Sequence, residues 1–441
     1  MRRSVAQGPG PGAALPSGLG EQPDVVHGPG LLVPGPPGPP GRPPRRPRCG
    51  AGGGPPVRRK LRSRPAFRII ALVLLAFLGW TGWSVEHALT VPGGGTVSER
   101  LAEWARDHHL GPAVTFAEWV MYTPPKVGGE PSFSLAMPTT GATAGTSGHK
   151  HHHKGKHQFT GPGFGRPDKL TSPAGKPVKG EGHWRILARV HGVPAIYGTY
   201  LRPDRVHTSY VAGIASMNPH LLKFELRPGS EDPGAGNWGK AQPDIPPGQR
   251  RGLLATFNGG FKVASSQGGF FLNGTTRGVL QRGIASMVFY KNGDLKIGVW
   301  GQHGLRLTGK VAGVRQNLRP VVVNGRVPPS VDQNVETSWG ATLGGGYFVW
   351  RSGIGVTADG RIIFVYGPAL DVRTLASLLQ RAGCVTAMEL DINPDWMSYM
   401  TYQPQHHPAN PVPVNLLPTQ IQPATRYYAV ANRDFTAVYA R

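Results

Sequence analysis

Cysteine is nearly absent from this 441-residue chain, which contains only Cys49 and Cys384. A hydrophobic segment lies between them and is expected to put them on opposite sides of a membrane, so the sequence predicts no internal disulfide. Cys384 follows a glycine that ends a predicted helix. We expect it to be a small buried hydrophobic side chain rather than a reactive thiol.

Acidic residues are also scarce, with 24 Asp and Glu against 48 Lys and Arg, for a net charge of +24. Nucleic acid is the usual partner of such a basic chain. The sequence contains no nucleic-acid-binding motif and its expected membrane topology argues against that partner, so no nucleic acid is expected. Residues 181–441 carry 26 basic and 15 acidic residues. This balance favours contact with anionic envelope polymers or phosphate-containing sugars.

Phe, Trp and Tyr are absent from residues 1–65, which are dense in proline and glycine ("GPGLLVPGPPGPPGRPPRRP"). Such a segment cannot bury enough apolar surface to offset the loss of chain entropy. It also lacks the strict Gly-X-Y period of collagen. The sequence therefore predicts a disordered, arginine-rich cytoplasmic tail over residues 1–65.

One hydrophobic run is long enough to matter. The residues from Ile69 to Val85 carry no charge, follow an arginine-rich segment, and include Trp80 and Trp83 near their end. This length can span a bilayer, and the basic flank keeps the N-terminus in the cytoplasm. We expect a transmembrane signal anchor over residues 66–86, with the C-terminal domain extracellular. A cleaved signal peptide and a buried helix are the alternatives.

The residues after the anchor divide into a stem and a linker. Residues 87–125 include "TVSERLAEWARDHHLG", which predicts a short membrane-proximal helix. Residues 126–180 are rich in Gly, Pro, Thr, Lys and His and predict a disordered basic linker. Within it, "HKHHHKGKH" would bind Zn²⁺ or Ni²⁺ loosely. A solvated spacer is the favoured interpretation, because no acidic or cysteine ligand accompanies these histidines.

Residues 181–441 contain the strand signals of a folded domain. A helix is predicted after Asp371, its cap, with leucines on one face and Gly383 at its end. With "RIIFVYG" before it and "CVTAMELD" after it, this helix forms a strand–helix–strand unit. The predicted fold class is α+β, a mostly β-strand mixed sheet preceded by a disordered tail and one transmembrane helix. Type I′ hairpin turns are indicated at three dipeptides: Asn292-Gly293, Asn324-Gly325 and Asp359-Gly360.

Three carboxylates cluster in "MELDINPDWMSYMTY", where this unit ends. Alternation puts Glu389 and Asp391 on one strand face, at the carboxyl end where open sheets commonly hold ligands. Asp395 follows in the loop. Like charges this close raise one pKa, which suits a general acid beside a base, or a cation site. The spacing supports equally well an alternative in which Asp391 and Asn393 only cap a turn.

Two further segments predict a binding pocket. In "ATFNGGFKVASSQGGFFLNG" a strand runs into Asn258, Gly259 and Gly260, and such glycines let backbone amides approach an anion or a sugar oxygen. In "GGGYFVWRSGIGVTADGRIIFV" three glycines precede a strand that carries Arg351, which can contact a phosphate through two nitrogens. Tight turns and a surface ion pair are the alternative interpretations.

The order of these segments resembles the phosphodiester glycosidase family over residues 250–402. That family has a strand ending in NGGFF, a Gly-rich turn before an R-T-A-I-G-x-x-x-D-G-R hairpin, and a helix and strand ending in L-D-G-G-G-S. "FNGGFK", "RSGIGVTADGR" and "TLASLLQRAGCVTAMELD" correspond to these parts. The departures are Lys262 for the second Phe, Tyr366 for an Asp, and Ile392-Asn393-Pro394-Asp395 for Gly-Gly-Gly-Ser.

The resemblance implies a membrane-anchored, extracytoplasmic hydrolase of glycosyl phosphodiesters or related envelope carbohydrate. In it, Asp391 would be a base or would stabilise an oxocarbenium-like transition state, with Glu389 or Asp395 as acid partner. The cofactor stays open, with a divalent cation as one candidate. Because the departures fill space that a triple glycine leaves, the alternative is an inactive relative that binds envelope glycan or an anionic polymer. The implied substrate-binding residues are Asn258, Gly259, Gly260 and Arg351, the last on the phosphate. Asn393, although it belongs to a departure from the family, is predicted to join them.

Overall fold

The structure is a computed structural model that describes residues 65–91, 96–137, 164–333, 339–340, 348–403 and 407–441. The predicted tail, apart from its last residue, lies outside the described residues. The histidine cluster at 149–157 and the three glycines at 344–346 also lie outside them.

Helices flank the strand-rich region at its start and near its end. The described helices are α1 Pro65–Thr90, α2 Val97–Asp107, α3 Gly111–Met121 and α4 Val372–Arg381. α1 contains the predicted hydrophobic run, and its residues Phe67–Thr90 are long and apolar enough to cross a membrane. The side chain of Thr96 caps α2, since its Oγ1 accepts a hydrogen bond from the backbone N–H of Glu99 at 3.4 Å.

The strands form three sheets. Their order is β1-β2-β3-β13-β12-β14-β11 in the first, β7-β6-β10-β8-β9 in the second and β16-β15-β5-β17-β4 in the third. The bounds are β1 Arg185–Val190, β2 Val193–Leu201, β3 Ala212–Met217, β4 Leu222–Arg227, β5 Leu253–Asn258, β6 Phe270–Leu272, β7 Thr275–Arg277, β8 Ala285–Tyr290, β9 Leu295–Val299, β10 Val311–Gln316, β11 Pro320–Val323, β12 Val349–Thr357, β13 Ile362–Leu370, β14 Cys384–Glu389, β15 Tyr399–Gln403, β16 Val412–Asn415 and β17 Phe435–Ala440. The mostly β-strand α+β fold is thus confirmed.

The predicted strand–helix–strand unit is β13-α4-β14. β12 lies between the two strands and pairs antiparallel with both, so β13 and β14 run parallel without touching. Asp371 Oδ1 caps α4 by accepting from Thr374 N at 2.6 Å, and Gly383 follows the helix with φ of 93°. The unit therefore places β14 between β12 and the edge strand β11 of the first sheet.

The core has two main layers. Between the first and third sheets, the rings of Phe257, Phe364 and Tyr399 lie with centroids 5.0 to 6.1 Å apart. On the other face of the first sheet, α4 buries the leucine face that the sequence predicts. Cys384 is buried in this second layer, as expected for a small hydrophobic side chain. Burial raises the pKa of its thiol.

Turns that contain glycine connect the hairpin strands, but only one of the three predicted type I′ turns is of that type. Among the predicted dipeptides only Asn324-Gly325 has positive φ at both residues, 49° and 72°, as type I′ requires. At the other two only Gly293 and Gly360 are positive, because these connections are four residues long and are served by other turns. Another connection with positive φ at both residues is His191-Gly192, between β1 and β2, with φ of 49° and 80°.

The predicted linker at 126–180 differs from the structure at both described ends. Leu135, Met137 and Leu170 are only 3%, 6% and 8% exposed. The backbone N–H of Leu170 also donates to the carbonyl of Gly182 at 3.0 Å. Isolated apolar residues in a Gly- and Pro-rich segment give no periodic signal, which is why the sequence pattern missed them. The packed domain therefore includes residues before 181.

Candidate functional site

Asn258 ends β5, which lies between β15 and β17 in the third sheet. Its side-chain Oδ1 accepts a hydrogen bond from Ser398 N at 3.1 Å, and its Nδ2 donates to Ser352 Oγ at 3.0 Å. The side chain is buried with both ends of its amide satisfied. It therefore joins three segments that are far apart in the sequence.

Gly259 and Gly260 pass very close to two polar side chains. A Cβ atom on Gly259 would lie 2.1 Å from Asp434 Oδ2, and one on Gly260 would lie 2.6 Å from Asn317 Oδ1. Neither distance leaves room for a carbon atom, so both positions require glycine. The glycine pair is thus packed against the protein's own side chains.

Asn317 links this glycine turn to the end of β14. Its Oδ1 accepts from Phe261 N at 3.0 Å, and its Nδ2 donates to the carbonyls of Glu389 and Leu390, both at 2.9 Å. The residue is fully buried. It fixes the distance between the two strand ends that form the site.

Asp391 lies directly after β14 and is 3% exposed. Its Oδ1 accepts hydrogen bonds from the backbone N–H groups of Ile392 at 2.8 Å and Asn393 at 3.0 Å. Its Oδ2 is 3.7 Å from Arg433 NH2. Burial raises the pKa of Asp391 to about 6, although Arg433 and the two backbone N–H groups lower it. A carboxyl with this pKa exchanges protons near neutral pH, as a general acid or base must.

Glu389 pairs with Arg351 inside the first sheet. Glu389 Oε1 lies 2.5 Å from Arg351 NH1, and Arg351 Nε donates to the carbonyl of Leu370 at 3.0 Å. The other oxygen, Glu389 Oε2, has no hydrogen-bond partner among the described residues. Burial raises the pKa of Glu389, and Arg351 acts in the opposite direction. The two charges compensate each other in the interior of the sheet.

Asn393 and Asp395 belong to the loop after Asp391. Asn393 Oδ1 accepts from Asp395 N at 3.0 Å, and Asn393 Nδ2 donates to Glu99 Oε1 of α2 at 2.7 Å. Burial and the neighbouring carboxyl of Asp395 raise the pKa of Glu99 to about 9. At neutral pH Glu99 therefore keeps its proton, which allows the two acidic side chains to lie together.

Arg433, just before β17, contacts both Asp391 and α2. Besides facing Asp391, its NH2 donates to the carbonyl of Gly260 at 3.4 Å, and its NH1 lies 3.4 Å from Glu103 Oε1. The guanidinium is 5.4 Å from the ring centre of Trp396. The stacked indole and the carboxylates keep this arginine charged in a buried position.

Next to Arg433, Asp434 forms a fully buried ion pair with Arg315 of β10. Arg315 Nε and NH2 lie 3.0 and 3.1 Å from the two carboxylate oxygens of Asp434. The carbonyl of Asp434 accepts from Gly259 N at 2.9 Å. Because both oxygens are engaged, the pair fixes the glycine turn against β17.

Helix α2 packs on this site through polar contacts. Besides Glu99 and Glu103, it contributes Asp107, whose Oδ2 lies 3.3 Å from Lys262 Nζ. Lys262 Nζ is also 3.4 Å from Glu103 Oε1. No residue of α2 is fully buried, although Glu99 and Glu103 are partly buried. Charge and hydrogen bonding, rather than apolar burial, therefore hold α2 on the site.

The structure brings together most of the residues that the sequence predicts. The predicted residues that lie together at the site are Asn258, Gly259, Gly260, Asp391, Asn393 and Asp395. The predicted residues Glu389 and Arg351 lie beside them, in the interior of the first sheet. The residues of the site that sequence reasoning missed are Asn317, Arg315, Arg433, Asp434, Glu99 and Glu103. In the part of the chain that the structure describes, no three His, Cys, Asp or Glu side chains group as around a metal ion.

The family model of phosphodiester glycosidases matches residues 251–391, from the start of β5 to Asp391. These residues belong to the phosphodiester glycosidase family. The resemblance drawn from the sequence is thereby confirmed, and it supports a glycosidase-type function and a carbohydrate-type substrate.

Solved structures similar to this chain come from several organisms. The catalytic domain of zebrafish N-acetylglucosamine-1-phosphodiester alpha-N-acetylglucosaminidase, auto-inhibited by its pro-peptide, is 12% identical with a TM-score of 0.36, over 59% of this chain and 88% of that one. A Synechocystis protein is 13% identical with a TM-score of 0.31, over 58% and 64%. A Burkholderia pseudomallei protein is 9% identical with a TM-score of 0.25, over 52% and 74%. No curated protein matches the chain.

Proposed function

We propose that this chain is a membrane-anchored, extracytoplasmic hydrolase of glycosyl phosphodiesters or of a related envelope carbohydrate. The single observation that carries the proposal is that the family match ends on Asp391, a buried carboxyl with a pKa near neutrality. Family membership gives the reaction class, and the surroundings of Asp391 give it a group able to take part.

In this reaction the bond between the anomeric carbon and a phosphate oxygen breaks. The electron pair of that bond stays on the phosphate, which leaves as a phosphomonoester. The oxygen of water bonds to the anomeric carbon, and Asp391, ionised above its pKa of about 6, accepts the proton of that water. The assignment of Asp395, in the same loop, as the acid partner stays a prediction.

We assign a positioning role to Glu389 and Arg351. Both are buried, and their polar groups are used on each other and on the carbonyl of Leu370. Two of the five guanidinium N–H donors of Arg351 are used in this way, and the residue is only 1% exposed, so a phosphate has little access to it. The pair holds the end of β14, and with it Asp391, against β12.

Substrate entry requires α2 to move. Its Glu99 and Glu103 contact Asn393 and Arg433, which lie on either side of Asp391 in the hydrogen-bonding network. Because α2 contacts these site residues through a hydrogen bond and an ion pair, water can replace both contacts when it leaves. The membrane anchor in the proposal is α1, with the arginines before Ile69 on the cytoplasmic side.

The test is hydrolysis of sugar-1-phosphodiesters by the purified full chain in detergent, with and without divalent ions. We expect release of free sugar and phosphomonoester, and a loss of at least about 100-fold in turnover for Asp391→Asn. The exposed Asp168→Asn serves as the matched control and should keep full turnover. Glycan binding without turnover by the wild-type chain would instead support the inactive, binding relative. Unchanged turnover in Asp391→Asn would refute the catalytic assignment.

A further inference from the structure

A carboxylate of α2, that of Glu103, lies between two cationic side chains beside Asp391. Glu103 Oε1 lies 3.4 Å from Lys262 Nζ and 3.4 Å from Arg433 NH1. The same Arg433 lies 3.7 Å from Asp391 Oδ2 through its other terminal nitrogen. The guanidinium of Arg433 thus lies between the carboxylate of Glu103 and the candidate catalytic carboxyl of Asp391.

We propose that Lys262 and Arg433 form the phosphate-binding subsite of this hydrolase, and that Glu103 occupies it in place of the substrate phosphate. The inference rests on the proposed function and adds the residues that recognise the charged part of the substrate. It replaces Arg351, which is buried inside the sheet and paired with Glu389, as the phosphate contact.

The donors of the two cations are free for this role once α2 leaves. In the described residues, the polar contacts of Lys262 Nζ are with Glu103 and Asp107, both on α2. Glu103 is likewise the contact of Arg433 NH1. When α2 leaves, the ammonium of Lys262 and the NH1 group of Arg433 therefore face the same opening. Cationic donors arranged in this way bind phosphate oxygens.

The hold of Glu103 is weak enough for a substrate to compete. Its distances to both cations exceed those of a short charge-assisted hydrogen bond, which are about 2.7 to 2.9 Å. The Lys262 side chain is 28% exposed, so solvent and salt screen its part of the contact. The phosphodiester of the substrate brings one negative charge and two non-bridging oxygens to the same donors, and the phosphomonoester product brings a second charge.

The position also suits the reaction chemically. As the bond to the anomeric carbon breaks, a second negative charge develops on the leaving phosphate. Arg433 and Lys262 would stabilise that charge more in the transition state than in the substrate, which is the condition for lowering the barrier. Lys262 stands where the resembled family has phenylalanine, so this cation is a feature of this chain.

The subsite is tested by the affinity of the full chain in detergent for inorganic phosphate, measured by calorimetry without any turnover. We expect Glu103→Gln to bind phosphate about fivefold more tightly than wild type, since one partly exposed ion pair no longer competes. Adding Lys262→Gln to that variant should reverse the gain and weaken binding below wild type. The exposed Lys310→Gln and Glu130→Gln are matched controls and should leave the affinity unchanged.

The outcome separates this inference from the proposed function. If the phosphate affinity is the same in wild type, Glu103→Gln and the double variant with Lys262→Gln, the proposed subsite is wrong, even if the chain hydrolyses sugar phosphodiesters. Affinity that responds as expected upholds the subsite, even if no substrate in the panel is hydrolysed. Because Lys262 is partly exposed, its replacement is compatible with folding, and an unchanged unfolding midpoint checks this directly.

Discussion

Asp391 owes its proposed role to its surroundings. Two backbone N–H groups orient one carboxylate oxygen, and a buried arginine faces the other. Burial alone would push its pKa higher, whereas Arg433 holds it near 6. The carboxyl is therefore ionised at neutral pH and still basic enough to take a proton.

This balance predicts an acid limb in the pH dependence of kcat/KM. A base with a pKa of about 6 is lost by protonation, so kcat/KM should fall about tenfold for each pH unit below 6. Arg433→Gln removes the cation that lowers the pKa of Asp391, so its limb should move to higher pH. Arg433→Lys keeps the charge and should leave the limb close to its wild-type position. A limb that does not move in Arg433→Gln would assign it to another group.

Glu389, two residues away, is predicted to act on stability. Glu389→Gln leaves the guanidinium of Arg351 buried without its carboxylate, and breaking such a pair costs about 3 kcal/mol of unfolding free energy. Asp391→Asn should cost under about 1 kcal/mol, because asparagine still accepts the two backbone hydrogen bonds. Urea unfolding of the three proteins measures both values. An equally small loss in both variants would contradict the positioning role of Glu389.

Residues of this site differ in how far the sequence could predict them. Asn258 and Asp391 stand at strand ends within recognisable segments, so local pattern and family order both mark them. Arg433 and Asp434 lie outside the family match, and they reach the site only because β17 pairs with β5. That pairing joins residues 177 to 186 positions apart, and no local periodicity encodes it.

At the scale of elements, α4 and α2 make an instructive contrast. α4 is specified locally by its cap, its leucine face and its terminal glycine, and the structure follows each of these signals. α2 is also predicted as a helix, but its docking on the site is not. Its partners are single polar side chains on other segments, and single polar contacts leave no pattern in the sequence.

The docking of α2 is predicted to weaken as the pH rises. The pKa of Glu99 is raised from 4.5 to about 9 by burial and by Asp395, so the protonated form favours the docked helix. This contribution is complete below about pH 4.5, declines as the pH rises, and is lost above about pH 9. A nitroxide label attached to the cysteine of Ser98→Cys, an exposed position, in a Cys49→Ser background should become more mobile as the pH rises over this range.

Glu99→Gln is the control for this prediction. Glutamine can still accept from Asn393 and can donate to Asp395, but it does not titrate. The label mobility in this variant should therefore be nearly independent of pH. The same pH response in wild type and Glu99→Gln would show that Glu99 does not control the docking.

At the scale of the whole molecule, α1 and the site are connected through α2. Trp104 Nε1 donates to Ser84 Oγ of α1 at 2.9 Å, while Glu99 and Glu103 of the same helix contact the site. On the proposed topology, the outer end of α1 is thus one helix away from Asp391. The sequence predicts the hydrophobic helix from composition, but it cannot predict this proximity, which depends on how three separate segments pack.

The topology itself gives the last prediction. If the arginine-rich flank holds the N-terminus inside, protease added to intact cells should release a C-terminal fragment that lacks the first 125 residues. Replacing the six basic residues between Arg58 and Arg68 by glutamine removes the orienting charge, and this variant should show mixed or reversed protease access. Western blotting against a C-terminal tag reports the fragment in both cases. Full protection of residues 181–441 in wild-type cells, together with digestion after the membrane is permeabilised, would place the domain inside and rule out the proposed anchor orientation.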